Sequence, residues 1–400
     1  MLRSLFFSAA LLGCYSLLVP IATAANAATH EQTKTVSVKG ENGTALQTLA
    51  ATSDGKVVAL VSLSRYNAAA AKSAVAEVRV FNADGEEESK WPLDFIGQSI
   101  GVGPDGAVYV AGDGQVARYS AAGKLLAKAE VPHLAEVLKD QDQLRASAEA
   151  QVKAQQESIA EAKKSFSEQA KQLRDKGVDK LSEEEKQQLE ALEINLKLYD
   201  QITVRTEPID KVMVQLTSRL RIINSITATS KEVFIATGEL KGYGYAVWRM
   251  DLDFKNPSQV ISKLSGCCGQ MDVQAQGDKL YVAENTKHRV GQFDLTGKFL
   301  TSFGKRDRES IGECFAGCCN PMNCRIMNNG DVYTSESEGV IKKFNSKGEF
   351  VALVGQAKLT GGCKNVAVAA SPDGNTVYFC DLPGSQIIIL KKSAAPVSAQ

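Results

Sequence analysis

Histidine is scarce in this chain, with three in 400 residues, and tryptophan scarcer, with two. His30, His133 and His288 are far apart in sequence, and nothing resembles a Ser-His-Asp set or a P-loop. Charge of one sign is missing too: 46 Lys and Arg balance 46 Asp and Glu. That removes any electrostatic case for nucleic acid as a partner. Beyond the N-terminus no apolar run approaches the ~18 residues of a transmembrane helix. Cysteine is absent between Cys14 and Cys267. Where cysteines do occur there is no C-x-x-C and no C-x-x-C-H, so the familiar redox, zinc and haem-attachment spacings are excluded.

What is present begins with residues 1–27. Arg3 stands in a short n-region, an apolar run extends from Leu5 to Ile21, and Ala22-Thr23-Ala24 and Ala25-Asn26-Ala27 offer A-x-A cleavage sites. This reads as a secretory signal and predicts a periplasmic or extracellular protein without a transmembrane segment. Leu11-Leu12-Gly13-Cys14 looks like a lipobox, which gives a lipid anchor at Cys14 as the alternative.

Most of the remainder has β periodicity. Short runs rich in Val, Ile, Tyr and Phe follow turns such as Ser53-Asp54-Gly55, Pro104-Asp105-Gly106, Asn329-Gly330-Asp331 and Pro372-Asp373-Gly374. Larger units also recur. LYVAENTKHRVGQFDLTGKFLTSFG (280–304) repeats as VYTSESEGVIKKFNSKGEFVALVG (332–355) and more loosely as VYVAGDGQVARYSAAGKLLAKAEV (108–131). Four strands per unit and a period of about 45 to 50 residues predict an all-β fold, a six-bladed β-propeller, with seven blades as the alternative. The last unit stops after its third strand. Thr33 to Val38 alternates like a strand and is expected to supply the missing outer strand and close the ring. The predicted organisation is blades 1–2 with the closing strand in 33–131, an insertion in 132–207, blades 3–6 in 213–392 and a disordered tail in 393–400.

Between 134 and 199 Gly and Pro almost vanish and the composition shifts to Ala, Glu, Lys and Gln, which is helix composition. Val152, Ile159, Phe166 and Leu173 recur every seventh residue, and Leu189, Leu192, Leu196 and Tyr199 at threes and fours. Gly177 marks a break, and Ser182 with Glu185 forms a capping box. An antiparallel coiled-coil hairpin is expected, with legs of roughly 40 to 50 Å at 1.5 Å rise per residue. It is a candidate arm for a protein partner or for self-association; the plainer reading is a solvated insertion that packs on itself.

The segment V-A-E-N-x-x-x-H-R-V-x-x-F-D-x-x-G-K-F (282–299) and the later G-x-I/V-K-x-F-x-x-x-G-x-F resemble NHL-repeat propellers. Phe315-Ala-Gly-Cys-Cys-Asn-Pro-Met-Asn323 resembles a set of exported bacterial NHL-type proteins with no assigned biochemical role. The resemblance is strong from Ala246 to Lys391 and weak before Glu130. It implies the fold and little about activity.

Eight of the nine cysteines fall between Cys267 and Cys380. Aligned on the repeat, Cys268, Cys319 and Cys363 occupy one equivalent position, each just before an innermost strand. Cys267 and Cys318 precede two of them and Cys314 lies on the loop before. These six are expected near one mouth of the central channel. In an exported chain an even set of cysteines predicts disulfides between neighbouring blades. The alternative is a soft-metal or redox site for zinc, copper or, as a weaker option, an iron–sulfur cluster. The single Arg of the n-region argues against export with a cofactor installed. Cys324 and Cys380 are left as a further pair. Vicinal bridges within Cys267-Cys268 or Cys318-Cys319 are disfavoured by strain. Asn320, Asn323 and Asn365 lie beside the cysteines, either as a ligand-binding polar mouth or as partners of buried backbone. The function expected is a binding scaffold rather than an enzyme, with no cofactor. A metal-binding or redox propeller is the second reading, and a hydrolase or lyase at the channel mouth the third, for which Asp272 is the one inner-strand carboxylate.

Overall fold

The computed structural model describes residues 27–64, 75–204, 207–240, 244–267, 270–309, 311–361 and 366–397. Residues 1–26 of the expected signal segment, with Cys14, together with Cys268, Cys363 and Asn365, lie outside these. The described residues form six four-stranded antiparallel sheets. Sheets 1 to 5 span 45–93, 99–130, 223–264, 272–303 and 323–356, each a meander in chain order. Sheet 6 is assembled from both ends of the chain. Its strands at 368–397 are joined by Ala28–Ser37, which pairs antiparallel with Gln386–Val397, Thr35 opposite Ile388 and Ser37 opposite Gln386. The innermost strands touch in cyclic order, ending with Val368–Ala370 against Ala45–Ala51. The architecture is a β-propeller.

One turn recurs because one side chain can hold it. Between the third and fourth strands, Asn82, Asp251, Asp294 and Asn345 each accept two backbone N–H groups through Oδ1, from the residues two and four positions on. Such a turn needs positive φ at its fourth residue, found at Gly85, Gly297 and Gly348 and, unusually, at Phe254. Gly297 is doubly required, since a Cβ there would stand 1.8 Å from the Val260 carbonyl oxygen.

Both faces of the sheets are buried, and the pleat decides which neighbour each residue meets. In sheet 6, Val377 and Phe379 join the core against sheet 5, whereas Tyr378 and Cys380 join the core against sheet 1. Equivalent cores lie between sheets 1 and 2, 2 and 3, 3 and 4, and 4 and 5. Two-sided burial explains why the second strands, such as Val57–Ser62 and Glu232–Gly238, are apolar almost throughout.

Four α-helices occupy the connection between sheets 2 and 3: α1 (Pro132–Lys139), α2 (Gln141–Asp175), α3 (Glu183–Val204) and α4 (Ile209–Leu220). The capping box forms as expected, with Ser182 N donating to Glu185 Oε2 at 3.0 Å and Glu185 N donating to Ser182 Oγ at 3.2 Å. The far half of α2 packs on α3 through Phe166, Ala170, Leu173, Leu189 and Leu192. The near half does not continue that seam. Leu144, Ala148 and Val152 pack instead on Val212 and Leu216 of α4. The insertion therefore runs past the expected 207 to Leu220, and the first strand of sheet 3 is Ile223–Ala228. The tail is corrected as well, since 393–397 extends the last strand and Val397 pairs with Ala28.

His133 fastens this insertion to the ring. Its ring stacks on Trp248 of sheet 3 at 5.7 Å, and its Nε2 lies 2.9 Å from the Leu220 carbonyl, so Nε2 carries the proton. Burial lowers its pKa from 6.5 to about 4, against the opposing pull of that carbonyl. Below pH 6.5 the unfolded chain takes up a proton that the folded chain refuses. Stability is therefore expected to fall as pH drops from 6.5 to about 4, by about 3 kcal/mol in total for this residue. Urea denaturation across that range should show the loss, and His133→Gln should remove its share of the slope. Separately, deleting 28–37 is expected to lower the midpoint of thermal unfolding. It should also expose the edge of Gln386–Val397, seen as oligomers on size exclusion.

Candidate functional site

The segments that cross from the outer strand of one sheet to the inner strand of the next meet at one mouth of the channel. The crossings into sheets 4, 5 and 6 are each pinned at the end of the second strand of the sheet they enter. Before sheet 4, Cys267 N donates to Asn285 Oδ1 at 2.9 Å, and Asn285 Nδ2 donates to Cys267 O at 3.3 Å. Before sheet 5, Asn320 Nδ2 donates to Ala316 O and to Glu338 Oε2, both at 2.7 Å, while its Oδ1 accepts from Ser337 N at 2.9 Å. Before sheet 6, Thr360 Oγ1 donates to Asp381 Oδ2 at 2.6 Å. The repeat thus carries its loop anchors in register as well as its strands.

These anchors bring three sulfurs together. Cys319 Sγ lies 2.8 Å from Cys267 Sγ and 3.0 Å from Cys318 Sγ. A covalent S–S bond is about 2.05 Å, so each separation exceeds a bond by less than ~1 Å. Among the described residues no disulfide joins one cysteine to another. Cys319 is fully buried, Cys267 half-buried and Cys318 exposed. Met322 adds a fourth sulfur at the edge, 3.9 Å from Asn285 Nδ2. Among the described residues no group of three or more His, Cys, Asp or Glu is arranged to hold a metal ion.

The other expected site residues separate. Cys314 faces away, with Sγ 3.8 Å from Asp307 Oδ2, and burial raises its pKa. Its carbonyl accepts from Lys342 Nζ, which also pairs with Glu336 at 3.0 Å. Burial lowers the Lys342 pKa against the pull of that carboxylate. Asn320 is fully buried, with its amide engaged by Ala316 O, Glu338 and Ser337 N. Asn323 bridges sheets, its Oδ1 accepting from Val368 N at 3.2 Å. The expected pair of Cys324 and Cys380 is corrected, because Cys324 is in the core between sheets 4 and 5 and Cys380 in that between sheets 6 and 1. Burial pushes both thiols up, which makes them inert.

Deeper in the channel stand Asp272, Gln274 and Arg325. Asp272 Oδ2 accepts from Cys324 N at 2.8 Å and Oδ1 from Gln274 Nε2 at 2.9 Å, while burial raises its pKa against those hydrogen bonds. Arg325 Nη1 donates to Gln274 Oε1 at 2.7 Å, and burial lowers its pKa. Arg325 was not apparent among the repeats as a channel residue. Register could have revealed it, since Asn323-x-Arg325 aligns with Asp272-x-Gln274 on the same face of the inner strand. At the opposite mouth a cavity of about 350 Å³ opens beside Arg325, Gln274 and Thr227.

No protein-family model matches the chain, and no curated protein does. Among solved structures it is similar to regucalcin, a calcium-binding protein from Agrobacterium tumefaciens, at 11% identity and TM-score 0.43 over 92% of this chain and 98% of that one. It is similar to a gluconolactonase from Xanthomonas campestris at 11% identity and TM-score 0.44, covering 93% of each. A protein of unknown function from Bacteroides caccae matches at 14% identity and TM-score 0.41, over 82% of this chain and 87% of that one. At these scores the likeness carries no argument about chemistry, and the propeller stands on its own strand pairing.

Asn320→Ala is expected to leave buried amide and carbonyl groups without partners, costing about 1–3 kcal/mol. The loop carrying Cys318 and Cys319 should loosen with it. Urea unfolding would report the cost, and alkylation mapped by mass spectrometry should show Cys319 labelled faster than in the wild type.

Proposed function

We propose that the chain is an exported, NHL-like propeller of six blades that works as a binding scaffold, with the crossing loops of neighbouring blades cross-linked through cysteine at one mouth. The observation that carries this is the approach of Cys267 and Cys319, 52 positions apart in sequence, to 2.8 Å. Little movement separates that geometry from a bond. An exported protein is held where such bonds persist. The two residues belong to the loops that enter sheets 4 and 5, so a bridge would tie blade to blade and rigidify the mouth. A cross-link also restricts the unfolded chain, which at this spacing contributes about 4 kcal/mol. The helical insertion would then serve as the arm for a protein partner or a second copy, held to the ring by His133.

A second reading has a specific observation in its favour. Three sulfurs from two loops supply soft ligands of the kind that copper and zinc prefer, and Cys268 and Cys363 belong to the same sequence register. One experiment separates the two. On full-length protein purified natively from the exported fraction, non-reducing peptide mapping is expected to recover Cys267 linked to Cys319, and elemental analysis to find metal far below one per chain. Stoichiometric zinc or copper, with thiols that titrate only after denaturation, would overturn the cross-link and support the metal reading.

A further inference from the structure

The three sulfurs differ in access. Cys319 Sγ is the middle one, 2.8 Å from Cys267 and 3.0 Å from Cys318. It is fully buried, whereas Cys318 is exposed. Thiol–disulfide exchange proceeds by attack of a thiolate on a disulfide sulfur through a mixed disulfide, so access decides which thiol an outside molecule meets first. Here that thiol is Cys318. A buried acceptor within contact of it, and a third sulfur beyond, provide an onward route that a lone exposed cysteine lacks.

We propose that Cys318, Cys319 and Cys267 form a thiol–disulfide exchange centre whose substrate is a small-molecule disulfide, R–S–S–R. This rests on the cross-linking reading above, and adds to it a route by which the bridge is made and unmade. The Cys318 thiolate attacks one substrate sulfur, forming Cys318–S–S–R and releasing R–S⁻. Cys319 then attacks Cys318 Sγ, expelling the second R–S⁻ and leaving a bond between adjacent residues. That bond is strained, and strain makes a disulfide easier to attack. Cys267 attacks Cys319 Sγ, yielding the Cys267–Cys319 bridge and returning Cys318 as a thiolate. Two cysteine thiols lose two electrons, the substrate gains them, and the two thiol protons end on two R–SH. Run backwards, a small thiol opens the bridge through Cys318, so the mouth between sheets 4 and 5 is tied or released according to the thiol balance outside.

The test uses the full chain, reduced and then exposed to oxidised glutathione, with acid quenching and peptide mapping over time. Wild type is expected to reach the Cys267–Cys319 bridge without retaining glutathione. Cys318→Ser, an exposed position that leaves the core untouched, should reach the same bridge more than about tenfold more slowly, because the accessible attacking thiol is gone. Cys319→Ser should stop the relay at its first step and hold one glutathione on Cys318. The proposal is overturned if Cys318→Ser closes the bridge at the wild-type rate, or if the adduct in Cys319→Ser sits on another cysteine. If wild type never forms the bridge, even with a strong thiol oxidant, the cross-linking reading falls and the relay with it. Failure of the relay alone leaves that bridge intact.

Discussion

Every sheet of this ring hides apolar side chains on both faces, so none is stable without a neighbour on either side, and the demand is met only when the last sheet reaches the first. Ala28–Ser37 completes sheet 6, which packs its Tyr378 and Ile389 against Leu46 and Val57 of sheet 1. Hydrophobic burial is non-directional, so it is the pleat that turns it into a closed ring by giving alternate residues to alternate neighbours. Closure then fixes what no local interaction could. The loops entering sheets 4 and 5, about 50 residues apart, are held side by side, and the sulfurs they carry come into contact.

Polar side chains set the detail that burial leaves open. Asn285 and Asn320 tie the loops that bear Cys267, Cys318 and Cys319 to the turns that follow the second strands of sheets 4 and 5. A buried amide costs free energy unless fully satisfied. Placed as they are, these two convert that cost into a fixed loop position. His133 plays the corresponding part for the insertion, where its hydrogen bond to Leu220 joins α1 to α4 and its ring face on Trp248 joins both to the sheet. Site and arm are thus both positioned by a few buried polar groups on an apolar frame.

How much of this was legible in the sequence follows from the range of each signal. Repeats and turns are local, so the four-stranded units, the closing strand and the capping box of Ser182 and Glu185 could be read directly. The register of the cysteines was legible for the same reason; of the six expected at one mouth, Cys267, Cys318 and Cys319 are in contact, Cys314 turns to Asp307, and Cys268 and Cys363 lie outside the described residues. Partner choice within a helical segment is not local. Val152 fits a seam with Phe166 by spacing alone, yet it packs on α4, whose sequence from Ile209 to Leu220 carries no capping signal at its start. Cys324 and Cys380 looked alike as leftover thiols, but the pleat sends them to different cores. Asn320 and Asn323 were recognised as neighbours of the cysteines. The backbone groups they hold, Ala316 O and Ser337 N for Asn320 and Val368 N for Asn323, depended on contacts distant in sequence.

The central claim is that ring closure gathers the cysteines of adjacent crossing loops into one sulfur centre at one mouth of the channel. The most direct check is a crystallographic sulfur anomalous difference map of the full-length protein. The account predicts that the Sγ peaks of Cys267, Cys318 and Cys319 form one contiguous group between sheets 4 and 5, with Cys324 and Cys380 as separate peaks inside the ring. A Cys267 peak standing apart from the Cys318–Cys319 pair, with each loop facing solvent on its own, would contradict it.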